Sequence, residues 1–197
     1  MTSLSINPPA DPLTPQTVAD LARDCHADSV SKGWWEPLDT PVKEAAREAM
    51  RADLIGSEVG EALDALRRPE RSLAYLDDKG KPDGYLVEVA DVAIRALDLL
   101  GRLECAHGSS VDLETCAING SRTAFLMRSR RWQHAVWSYV VLLFGHGGPK
   151  VDASRLACIV YLCEIEATRN NADLFRLIQI KCDFNRTRPT RHGGLSV

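Results

Sequence analysis

Between Tyr85 and Leu103 the chain has few ways to fold. Leu86, Val89, Ala90, Val92, Ala93, Ile94, Ala96, Leu97, Leu99, Leu100 and Leu103 fill most of the circumference of a helix wound at about 100° per residue. Glu88, Asp91, Arg95, Asp98 and Arg102 are left on one polar stripe, roughly 80–100° wide by the same geometry. A helix so apolar must be covered by other elements.

Start and stop signals divide the rest. Thr14 and Pro15 read as a cap and a first-turn proline, which predicts a helix to about Val30, ended by the segment 31–37. Thr40 caps a second helix over roughly Pro41 to Arg68. Residues 69–84 read as a polar loop, and 104–120 as irregular with at most one short helix. Further helices are predicted over about Arg122 to Phe144, Ala153 to Thr168 and Ala172 to Asn185. No strand-type alternation is long enough for a sheet, and no repeat is present, so the fold class is all-α in a single domain, 1–197. Residues 1–14, with Pro8, Pro9 and Pro12, read as a flexible or extended arm, and 186–197 as an irregular tail.

Two acidic pairs stand out. Glu58-x-x-Glu61 lies in the second helix, continuing the stripe of Met50 and Leu54, and Glu88-x-x-Asp91 lies in the third. A spacing of three puts both carboxylates of a pair on one helical face, where they repel. One such pair is common on a solvated surface. Two of them, across one loop and bordering apolar faces, suit a divalent cation: hard ions such as Mg²⁺ take oxygen ligands.

A second cluster lies at the other end of the chain. Leu174, Ile178, Lys181 and Asn185 share a stripe on the last helix, so a buried face turns polar at its C-terminal end. Arg186, Arg188, Arg191 and His192 follow. Such a tail can close over an anion, which predicts that 186–197 order on binding one. The alternative is a solvated basic terminus.

Composition removes other classes. The formal net charge of -3 gives no global attraction to nucleic acid or to an anionic membrane. Six cysteines include no CxxC, which reads as reduced core thiols. The most apolar run, Ala135 to Phe144, is far short of the ~20 residues that span a bilayer. With no leader-like N-terminus, the expected setting is cytoplasmic.

Taken in order, Lys32-Gly33-Trp34-Trp35, the run Ser57 to Leu63, the run Gly80 to Asp98 and the run Lys181 to Gly194 resemble the all-α nucleotide pyrophosphohydrolase superfamily, in its MazG-like branch. The resemblance covers about 15–103 and 172–194. It implies Mg²⁺ held by Glu58, Glu61, Glu88 and Asp91, with nucleotide contacts from Lys181, Asn185 and Arg188. It also suggests a homodimer or higher homo-oligomer. About seventy residues, 105–171, depart from the compact family pattern as an insertion with two extra helices before the last. There Trp132, Trp137, Tyr139 and Phe144 are expected to pack rather than stack on a base.

The expected reaction converts a nucleoside triphosphate to a monophosphate and pyrophosphate. Glu61 is expected to orient or deprotonate the water, and Lys181 and Arg188 to offset phosphate charge. His192 is a further phosphate candidate, and Trp34 or Trp35 a stacking surface for the base. Three rivals stay open: hydrolysis of dUTP or another specialised nucleotide, a non-enzymatic module binding a nucleotide or protein, and a purely structural bundle.

Overall fold

The protein, seen here as a computed structural model, is described at residues 2–6, 12–37, 40–68, 73–107, 111–126, 132, 136 and 151–190. Among these residues the helices with described bounds are α1 (Pro15–Ser31), α2 (Pro41–Leu66), α3 (Tyr85–His107), α4 (Leu113–Leu126), α5 (Ala153–Arg169) and α6 (Leu174–Thr187). The fold is all-α apart from one small sheet. None of the described helices is long and apolar enough to cross a membrane.

Local chemistry sets the ends. Thr14 Oγ1 accepts from the Thr17 amide, and Thr40 Oγ1 from that of Lys43. Asp152 and Asp173 cap α5 and α6 in the same way. After α1, Gly33 takes φ +77°. The Trp34 amide then reaches back to the Ser29 carbonyl and the Gly33 amide to that of Val30, a Schellman turn that uses glycine's freedom at positive φ. This turn brings the two tryptophans back toward the bundle.

α3 is the hub and packs against α1, α2, α5 and α6. Leu86, Val89, Ala93, Leu97 and Leu100 are fully buried, as their all-round apolar pattern demands. α1 approaches so closely that a Cβ on Gly101 would lie 2.3 Å from the Ala22 carbonyl oxygen. Backbone cannot swing aside there. Gly101→Ala is therefore expected to cost about 1–3 kcal/mol by overpacking, read as a lowered Tm.

Three expectations are revised. The described part of 104–120 is mostly helical: α3 continues to His107, and α4 begins at Leu113 with Asp112 accepting from the Thr115 amide and hydroxyl. Arg122 lies inside α4, which the loop expected up to residue 120 does not interrupt; most of the rest of the helix expected to Phe144 lies outside the described residues. Gly120 instead lets Tyr161 approach, since a Cβ would sit 2.9 Å from Tyr161 Cβ. Trp132 is buried edge-on to Tyr85, whereas Trp137, Tyr139 and Phe144 lie outside the described residues.

The third revision is a sheet. β1 (Thr2–Ser3), β2 (Tyr75–Leu76) and β3 (Pro82–Asp83) pair antiparallel in that order. Part of the expected arm is therefore extended and anchored, and Leu4 and Ile6 pack on the core. Strands of two residues carry no readable alternation. Asp77 closes the β2–β3 turn by accepting from the Lys79 and Lys81 amides, which holds its carboxyl below the usual range.

Candidate metal centre

α2 and α3 lie side by side and bring Glu58, Glu88 and Asp91 together. One carboxylate oxygen from each lies within 4.8 Å of the others. Glu58 and Glu88 are buried, and the Asp91 side chain is 14% exposed. Glu61, the expected fourth ligand, is exposed on the wall of the same cavity and stands outside this trio. The spacing of three thus aims Glu88 and Asp91 at one point but spreads Glu58 and Glu61.

Protein cations meet two of the carboxylates. Arg95 Nε lies 2.9 Å from Glu58 Oε1, and Lys181 Nζ lies 2.5 Å from Asp91 Oδ2. The Asp91 pair joins the two distant sequence blocks, since Lys181 is on α6. Burial, then the charge of Asp91, pushes Glu88 up to about 7. Burial also raises Asp91, against the pull of Lys181. For Lys181, burial lowers the ammonium, but Asp91 and its neighbours outweigh it and the net shift is upward.

Counted formally, Glu58, Glu61, Glu88 and Asp91 carry four negative charges against Arg95 and Lys181, a surplus of two. The trio offers only hard oxygen donors, partly desolvated and mutually repelling. Donors of that kind fit a hard divalent cation.

The repulsion has a consequence for pH. Glu88 in the fold binds a proton at a pH where the unfolded chain has released it. Stability of the metal-free protein should therefore fall as pH rises from about 4.5, the ordinary glutamate value, to about 7, and be regained as pH is lowered again. Melting curves across that range should show the slope, and Glu88→Gln should flatten it.

The carboxylates open into a cavity of about 330 Å³. Lys32, Lys81, Arg186, Arg188 and Asn185 also line it. The Arg188 guanidinium and Asn185 carboxamide have no side-chain partner among the described residues, so both are free to meet a ligand. Of the tail only residues 186–190 are described: α6 runs to Thr187, and Arg186 pairs with Asp28 of α1 at 2.7 Å. His192 lies outside the described residues.

The tryptophans divide. Trp34 is half-buried on the cavity wall, with the Arg51 guanidinium 5.0 Å from its ring centroid. Trp35 is buried, and its Nε1 donates to Asp98 Oδ1 at 2.8 Å. His26 Nδ1 lies 3.0 Å from the same oxygen, and Ser29 donates to Oδ2. Trp35 thus belongs to the packing and only Trp34 to the cavity.

No family model, curated protein or solved structure gives a significant match to this chain.

Sequence reasoning placed Arg95 and Asp98 on the polar stripe but gave them no role. Their stripe positions, i+4 and i+7 from Asp91, were the available signal. The cysteines are free thiols as expected, and Cys25 and Cys182 meet at the cavity wall.

Proposed function

We propose that this chain is a Mg²⁺-dependent nucleotide pyrophosphohydrolase of the MazG-like kind. One observation carries the reading: the acidic pairs of α2 and α3 and the basic end of α6 line a single cavity, although some ninety residues (91 to 181) separate them in sequence. An acidic floor with a basic rim suits a metal-bound polyphosphate.

Glu58, Glu88 and Asp91 would hold the ion, with Glu61 at the edge. A bound Mg²⁺ would polarise phosphoryl oxygens and lower the pKa of a coordinated water. Glu61, exposed to the cavity, accepts the proton of the attacking water. Water oxygen bonds to the α-phosphorus, the bond from that phosphorus to the bridging oxygen breaks, and pyrophosphate leaves with the bridging oxygen. Arg188 and Asn185 orient the phosphate chain. Lys181 holds Asp91 in place and adds its charge beside the leaving group. Trp34, on the cavity wall beside Arg51, is the surface offered to the base.

The test is a panel of ribo- and deoxyribonucleoside triphosphates with Mg²⁺, scoring pyrophosphate against orthophosphate. Release of monophosphate and pyrophosphate supports the reading; preference for dUTP alone selects the specialised-hydrolase alternative. The pairs Arg95–Glu58 and Lys181–Asp91 favour a second reading, a nucleotide-binding module without turnover, since they neutralise part of the site unaided. Nucleotide binding with no product would select it.

We also propose a homo-oligomer. Met50, Leu63 and Leu66 are exposed on α2, and a second copy would cover them. Light scattering should give at least twice the chain mass; a monomer mass would remove this.

A further inference from the structure

The tail of α6 is fastened from an unexpected side. Lys32, the C-terminal cap of α1, donates from Nζ to the carbonyl oxygens of Arg186 at 2.8 Å and Arg188 at 2.6 Å. These are among the carbonyls that a helix end leaves without partners, where its dipole is negative, so a lysine ammonium is well matched to them.

Arg188 is thereby held at three points. Its amide donates to the Asn185 carbonyl, and its own carbonyl is gripped by Lys32. Pro189 excludes helical backbone at the residue before it, in keeping with the extended φ -77°, ψ 148° of Arg188. A backbone fixed at both ends sets where the side chain starts. That side chain lines the cavity and has no other partner among the described residues.

We propose that Lys32 is a positioning residue: it holds Arg188 over the cavity so that the guanidinium meets the phosphate chain. The proposal rests on the phosphate reading of the cavity. Lys32 acts through order, since two of its three ammonium N–H donors are committed to those carbonyls.

The probe is inorganic pyrophosphate with Mg²⁺, titrated by calorimetry. Lys32→Met should weaken binding about tenfold, and Arg188→Gln by a similar factor, the loss expected for one charge-assisted hydrogen bond. The double variant should bind no worse than Arg188→Gln alone, because both act through one group. Lys32→Arg, which can still donate to both carbonyls, should recover most of the affinity. On any nucleoside triphosphate that is turned over, Lys32→Met should raise KM more than it lowers kcat. In the empty protein, amide exchange at 186–190 should quicken in Lys32→Met.

Losses that multiply in the double variant would overturn the proposal, since Lys32 would then act independently of Arg188. So would unchanged exchange, or wild-type affinity in Lys32→Met. If the wild type binds no pyrophosphate, the phosphate reading fails and the positioning role falls with it; quickened exchange would then show that the strut itself is real.

Discussion

Glu88→Gln should all but abolish turnover while making the empty protein more stable. Glu88 is buried, makes no ion pair among the described residues, and faces Asp91, Glu61 and Glu58, which with burial outweigh the pull of Lys181. Its charge is therefore unfavourable unless an ion is present. Glutamine keeps the shape and removes the charge, so Tm without metal should rise near pH 8. The same change removes a ligand. Loss of an outer partner of a metal site typically costs 10–100-fold, so loss of Glu88 should cost more than about 100-fold in kcat/KM. The stabilisation that Mg²⁺ gives through linkage should shrink as well. Glu61→Gln should separate the roles: turnover falls while the Mg²⁺-induced shift in Tm is largely kept. Full activity in Glu88→Gln would remove the trio as a metal centre.

Lys181→Met should have the largest effect on stability. Lys181 and Asp91 are both enclosed and lie 2.5 Å apart. Removing one partner of a buried pair leaves the other charge uncompensated, at a typical cost of 3–5 kcal/mol. The carboxylate of Asp91 is already raised by burial, so without Lys181 it should take up a proton more readily. The defect should therefore be greatest at about pH 8 and lessen as pH falls. Mg²⁺ should restore part of the lost Tm, because a cation at the trio replaces the missing positive charge. Denaturant melts at two pH values, with and without Mg²⁺, read all of this. A defect independent of pH and of Mg²⁺ would mean that Lys181 stabilises only by packing.

Both results depend on contacts of different sequence range, which decides what could be read in advance. Helix positions were legible because their causes are local. Thr14 and Thr40 cap within three residues, Pro15 and Pro41 sit in first turns, and the burial of α3 follows from its own periodicity. The pairing of Glu88 with Asp91 was legible for the same reason, since one helical turn sets it.

The short sheet was not legible, because Thr2 pairs with Leu76 and two-residue strands leave no pattern. Nor was the start of α4, which lies in a stretch that reads as irregular.

The site divides along the same line. Sequence alone determined which carboxylates could share a face, and that a basic block ends the last helix. Tertiary structure decided that Glu58 joins the trio while Glu61 stands apart, because the crossing of α2 on α3 selects one residue of that pair. It decided that Lys181 meets Asp91, that Trp34 faces the cavity while Trp35 is locked to Asp98, and that Lys32 grips carbonyls 154 and 156 residues away. Carbonyl oxygens are the same in every residue, so no side-chain pattern marks them as partners; only the packing of α1 against α6 brings them within reach of that ammonium.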